Sequence, residues 1–266
     1  MAKPVEWIKN RVRPAARAVR RDALSMLRAA LGACLLFAAV LLLLPALAGR
    51  LGPEGVARLM NLFITLAFTP IFAALAATCL GAAWDRKTCS VKDAALAVWR
   101  NIPRVLATGL CAWLLSLALE AVTGLVGSLT GLVSTLLGWI PGVGPVVNAI
   151  MAAVLFVAGE ACAFAAHVAL VSAMAALMLE ELWAMPQAKR ALAILWGGRT
   201  DAFPALAALL IAWLVVRAAC ALVAALAPAL IAAVAVSLID AALLTLATAC
   251  TLAVYLREKD RNSIIH

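Results

Sequence analysis

Long apolar runs, separated by short polar or turn-forming breaks, set the pattern of this chain. Six of them reach the roughly 20 residues needed to cross a bilayer. They fall near 24–48, 57–84, 104–126, 146–182, 203–227 and 229–256. Gly49-Arg50-Leu51-Gly52-Pro53, Ile140-Pro141-Gly142-Val143-Gly144-Pro145 and Pro228 supply the turns between alternate runs. The fourth run is too long for one straight crossing, so it must tilt, begin outside the hydrocarbon, or bend near Gly159. The expected fold is all-α: a polytopic bundle of six transmembrane helices, arranged as three hairpins with short cytoplasmic interfacial helices. Residues 1–23 form a basic amphipathic segment, 24–256 the membrane domain and 257–266 a cytoplasmic tail.

Composition supports that reading. Hydrophobic residues make up 67% of the 266, charged residues 13%, and mean hydropathy is +1.07. A soluble fold cannot hide that much apolar surface. The formal charge of +9 is concentrated: 19 of the 22 Lys and Arg fall in the N-terminal stretch, the second and fourth loops and the C-terminal tail. The positive-inside rule therefore places both termini in the cytoplasm of a cell inner (plasma) membrane. No soluble basic domain exists to bind nucleic acid. Ala46-Leu47-Ala48 resembles a signal-peptidase site, but a long basic region precedes it and the apolar run is of spanning length.

Tryptophans expose an internal repeat. Trp84 and Trp183 lie 99 residues apart, Trp99 and Trp196 97 apart, and Trp113 and Trp213 100 apart. Pro103 and Pro204 mark the entry to the next span in each copy. The unit is a short cytoplasmic helix followed by a two-span hairpin. A divergent first copy is expected at the N-terminus. There Val5, Ile8, Val12, Ala15, Ala16 and Val19 oppose Lys9, Arg13, Arg17 and Arg20 at helical spacing. Such a helix would rest on the inner leaflet, with its cations near anionic head groups. Anionic inner-leaflet lipids are the expected partners, with a protein partner or a second copy beside them.

Charges inside spans are costly and are either functional or paired. Helical rise places Glu120, His167, Arg217 and Asp240 roughly 20–25 Å from the cytoplasmic side, with Glu160 further out. Arg217 and Asp240 stand 11 residues before and 12 after Pro228, so an antiparallel hairpin would bring them level as an ion pair. This polar layer serves either as a structural network or as a pathway for an ion or anionic solute. Thr65, Thr69 and Pro70 could kink the second span, and Gly127 and Gly131 have the spacing of a close helix contact. The seven scattered cysteines read as small apolar residues, and no metal-ligand spacing or cofactor motif occurs.

Catalytic motifs are missing: there is no H-E-x-x-H, G-x-S-x-G or phosphate-binding loop. Glu180-Glu181 resembles the paired glutamates of membrane-embedded prenyl-protein proteases, but Met185 stands where that pattern has arginine. The sequence Leu179-Glu180-Glu181-Leu182-Trp183, then Ala188-Lys189-Arg190-Ala191-Leu192 and Trp196-Gly197-Gly198-Arg199, is similar to a bacterial pattern. In that pattern a glutamate closes a span and a basic helix follows. It resembles the six-span membrane domain attached to some glycerophosphodiester phosphodiesterases, and its stand-alone relatives. The resemblance implies six spans with inside termini and no phosphodiesterase activity, because the catalytic domain of the fused members has no counterpart in this chain. Residues 140–145 carry a fainter likeness to six-helix sulfate-permease-like proteins. Function is therefore expected to be non-catalytic, membrane-organising or partner-binding; the alternative is a small permease or channel built around Arg217.

Overall fold

The computed structural model describes residues 14, 17–27, 62–87, 89–137, 144–196, 202–226 and 229–264. Among these residues the protein is helical throughout, without strands. A π-helical turn, Ile64–Phe68, leads into α1 (Thr69–Trp84). Then follow α2 (Val91–Arg100), α3 (Ile102–Leu137), α4 (Gly144–Glu180), α5 (Met185–Trp196), α6 (Ala202–Leu226) and α7 (Ala229–Ile264). Five stretches are long and apolar enough to cross a membrane: Leu66–Trp84, Ile102–Leu136, Gly144–Glu180, Ala202–Leu226 and Leu238–Asp260. The chain is thus a helical membrane bundle. Beyond Leu27, the expected first span lies outside the described residues, as do Lys9 and Arg13.

α4 is the centre of the bundle and packs against α1, α3, α5, α6 and α7. Its contacts fix the helix directions. His167 meets Thr248 and Glu180 meets Tyr255, so α4 and α7 run the same way. Ser134 bonds Asn148, and Gly127 faces Leu155, so α3 runs opposite to α4. The C-terminal ends of α1, α4 and α7 therefore gather at one end of the bundle, beside α2 and α5. There Trp84 Nε1 donates to Asp260 Oδ2 (3.1 Å), and Lys259 Nζ donates to the Leu179 carbonyl (3.4 Å).

α3 and α7 run further than the sequence suggested, while α4 has the expected length. α4 is one unbroken helix of 37 residues, about 55 Å by helical rise, against a hydrocarbon core of about 30 Å. No break interrupts it at Gly159, which leaves tilt or extension beyond the hydrocarbon to take up the excess. α3 continues to Leu137 rather than stopping near 126.

Close helix contact also falls elsewhere than expected. A Cβ on Gly127 would make ordinary contact with Leu155, and one on Gly131 would meet nothing within 4 Å. A Cβ on Gly109 would overlap the Pro70 ring and lie 3.4 Å from the Leu66 carbonyl oxygen. Pro70 has no N–H to donate back, and the π-helical turn lies immediately before it. The glycine lets α3 approach that disrupted turn. Gly109→Ala should cost about 1–3 kcal/mol, because a rigid proline ring cannot move aside. Gly131→Ala is the control: equal melting temperatures for the two variants would refute this contact.

Among the described residues, the corners after α1 and α4 turn through left-handed residues. Arg86 (φ 56°) follows α1, and Glu181 (φ 55°) and Ala184 (φ 57°) follow α4. At Arg86 the amides of Arg86 and Lys87 bond back to the carbonyls of Ala83 and Ala82 (3.2 and 2.9 Å), which satisfies the end of α1. α2 then starts on Ser90, whose Oγ accepts from the Asp93 amide at 3.1 Å. A short helix thus follows each corner, α2 after α1 and α5 after α4.

Only part of the N-terminal segment lies within the described residues. Residues 17–27 are helical and run across the expected boundary at 23/24. Arg17 and Arg20 are exposed, but Val19 is buried with Ala23, Met26 and Leu27 in a core shared with α1, α4, α6 and α7. Arg257 on α7 bonds Asp22 at 2.6 Å. Val19, the one described member of that stripe, therefore packs on protein rather than among acyl chains, because the bundle offers it a closely packed apolar surface.

Candidate functional site

Three helices each present a polar stripe at helical spacing. α6 carries Trp213 and Arg217 one turn apart, α4 carries Glu160, Phe164 and His167, and α7 carries Asp240, Leu244 and Thr248. These stripes converge. Arg217 Nη1 lies 2.7 Å from both Asp240 oxygens, and Arg217 Nε lies 3.1 and 3.2 Å from the two oxygens of Glu160. Trp213 Nε1 donates to Glu160 Oε2 at 2.9 Å. Phe164 meets the Trp213 ring edge-on at 5.8 Å, and His167 stacks near it at 6.1 Å. His167 Nε2 lies 3.2 Å from Thr248 Oγ1.

The expected Arg217–Asp240 pair is present. Glu160, placed further out by helix counting, is level with them and shares the guanidinium. Counting from helix ends assumes that helices start level and stand upright, and a 37-residue α4 cannot do both. Glu120 and His167, which the same counting put level with Arg217, do not touch it. Chemically, the cluster is a clamp. A guanidinium does not lose its proton, and two carboxylates already occupy its Nε and Nη1. Both carboxylates are thereby paired with a single cation.

Glu120 belongs instead to a cavity of about 320 Å³ between α1, α3 and α4. Thr69, Trp113, Ser116, Thr123 and His167 line it with Glu120, on walls otherwise made of apolar residues and glycine. His167 thus stands between the clamp and the cavity. Gly159, next to Glu160 in the chain, lines the cavity too, and a Cβ there would meet nothing within 4 Å.

A second polar cluster lies at the α2/α5 end. Tyr255 Oη donates to Glu180 Oε1 at 2.5 Å, Arg190 Nη2 lies 3.5 Å from the same oxygen, and the Arg190 guanidinium sits 5.6 Å over the Tyr255 ring. Gln187 on α5 donates to Thr108 Oγ1 (3.0 Å) and to the Ala173 carbonyl (2.9 Å), which pins α5 to α3 and α4. Sequence reasoning singled out neither Tyr255 nor Gln187. Tyr255 is the chain's only tyrosine, fully buried, and that rarity in the last span was the available signal.

Among the described residues no three His, Cys, Asp or Glu side chains are placed to hold a metal ion. Cys79, Cys220 and Cys250 are buried, Cys89 and Cys162 half-buried, and Cys111 exposed. No family model, curated protein or solved structure matches the chain.

Proposed function

We propose that this integral membrane protein has no catalytic activity of its own and organises anionic lipid along the cytoplasmic face of a cell inner membrane. In this reading it crosses six times as three hairpins, with both termini inside. The observation that carries the proposal is the two-sided character of α2. Ala94 and Val98 are buried against the bundle, while Val91, Leu96 and Trp99 are exposed, Trp99 by 72%. Lys92 and Arg100 stand on the same helix and are exposed as well. A helix with apolar residues left over after docking, and cations beside them, suits the boundary between acyl chains and head groups. α5 has the same character: Met185 and Leu192 are exposed and so is Lys189. Each basic residue near an anionic surface contributes about 1 kcal/mol of attraction. The motif likeness to the phosphodiesterase-associated membrane domain agrees with a non-catalytic role.

The test is the lipid that stays with the purified protein. Mass spectrometry of wild type drawn from mixed membranes should show phosphatidylglycerol enriched over the bulk. The variant Lys92→Glu/Arg100→Glu/Lys189→Glu should return to bulk composition. A wild type carrying lipid in bulk proportion would refute the reading. The permease alternative gains nothing from Arg217, whose Nε and Nη1 are committed to Glu160 and Asp240.

A further inference from the structure

The cavity between α1, α3 and α4 is a separate feature, remote in its chemistry from lipid-facing helices. What it can bind follows from where its protons go. Ser116 Oγ donates to the Ala112 carbonyl (3.1 Å), Thr123 Oγ1 to the Glu120 carbonyl (2.8 Å) and Thr69 Oγ1 to the Ile64 carbonyl (3.2 Å). Each hydroxyl has one hydrogen, so all three have spent it on their own helix and keep only lone pairs. His167 follows the same logic. Thr248 Oγ1 donates to the Leu244 carbonyl at 2.8 Å, so the 3.2 Å contact between Thr248 and His167 requires Nε2–H of the imidazole as donor. In the neutral ring Nδ1 is then an acceptor.

Glu120 adds a negative charge, and among the described residues no Lys or Arg pairs with it. Besides the weakly donating Cys162 thiol, the indole N–H of Trp113 is the one side-chain donor left in a lining of acceptors. Such a surface repels anions and offers a neutral alcohol little that water does not. A bare metal ion is a poor match as well. At about 320 Å³ the space falls in the range of small-molecule sites, about 300–1,000 Å³, and its walls are largely hydrocarbon. A protonated amine with an apolar body fits on every count. Its N–H groups are donors, its charge meets Glu120, and the Trp113 ring favours a cation at its face.

We propose that this cavity is a binding site for small organic ammonium ions, with Glu120 as the charge partner and Thr69, Ser116, Thr123 and His167 as acceptors. Full-length protein in lipid nanodiscs, titrated calorimetrically with benzylammonium, benzyl alcohol and benzoate, tests it. Benzylammonium should bind saturably at one site per chain, and the two analogues should not. Glu120→Gln should weaken benzylammonium at least tenfold, with no change in melting temperature, because Glu120 is exposed and supports no ion pair among the described residues. Gly159→Leu, whose side chain enters open space, should fill the cavity and abolish binding in a folded protein. Undiminished binding in either variant would overturn the proposal. So would equal binding of benzyl alcohol, or no saturable binding to wild type.

Discussion

Arg217→Ala should destabilise the folded protein by about 3 kcal/mol, the low end of the cost of breaking a buried ion pair from one side, because the cluster is part-buried. The loss is not the value of the contacts themselves. Without the guanidinium, Glu160 and Asp240 face each other across helices α4 and α7 with no cation between them, in a region where water cannot replace it. The Trp213 N–H would remain as a partner for Glu160 alone. Arg217→Lys should recover part of the loss, because an ammonium can meet one carboxylate but cannot fork across two. Glu160→Gln/Asp240→Asn, added to Arg217→Ala, should recover most of it by removing the stranded charges. Unfolding in mixed micelles reads all four proteins. A clamp is excluded if Arg217→Ala matches wild type, or if neutralising the carboxylates makes it worse.

The pairing inside that clamp was half legible from the chain. Arg217 and Asp240 flank Pro228 almost symmetrically, and a hairpin has few ways to place them except level. Glu160 was misjudged because its depth depends on the slope and start of α4, which one sequence does not encode. Rotation was equally hidden. Where every face of a helix is apolar, no stripe marks the inward side, so nothing showed that Trp213 and Arg217 point at α4. The repeat adds a lesson here. Trp113 and Trp213 occupy equivalent places in it, yet one lines the cavity and the other donates to Glu160.

The length of α3 was obscured for a different reason. Residues 123–135 are rich in Gly, Ser and Thr, a composition that reads as loop in water. In this helix the hydroxyls bond back along it: Ser128 to Gly124, Thr130 to Gly127 and Thr135 to Gly131, at 2.9–3.1 Å. Each side chain is thereby satisfied without leaving the helix, and Ser134 reaches across to Asn148 on α4. Propensity measured in water is overridden where the only partners for a polar group are protein.

Glu180→Ala should be the other severe substitution, about 3–5 kcal/mol, because one carboxylate holds two groups that nothing else nearby can take. Tyr255 is fully buried, and its hydroxyl donates to Glu180 Oε1. Arg190 leans on the same oxygen and on the Tyr255 ring, and its Nε already lacks a partner. Loss of Glu180 would strand a buried hydroxyl and a guanidinium that is only 19% exposed. α5 would then be held to α4 by Gln187. α7 would lose its side-chain tie to α4 and α5 while keeping the bonds of Lys259 to the Leu179 carbonyl and of Asp260 to Trp84. Glu180→Gln should fall between the two, since an amide oxygen still accepts from Tyr255 but carries no charge for Arg190. The neighbouring Glu181 is the discriminating control. It is exposed and left-handed, so Glu181→Gly should be neutral or slightly stabilising. If Glu180→Ala and Glu181→Gly unfold alike, the carboxylate does not join α4, α5 and α7. If only the first fails, the paired glutamates are unequal by construction: one binds helices together and the other merely turns the chain.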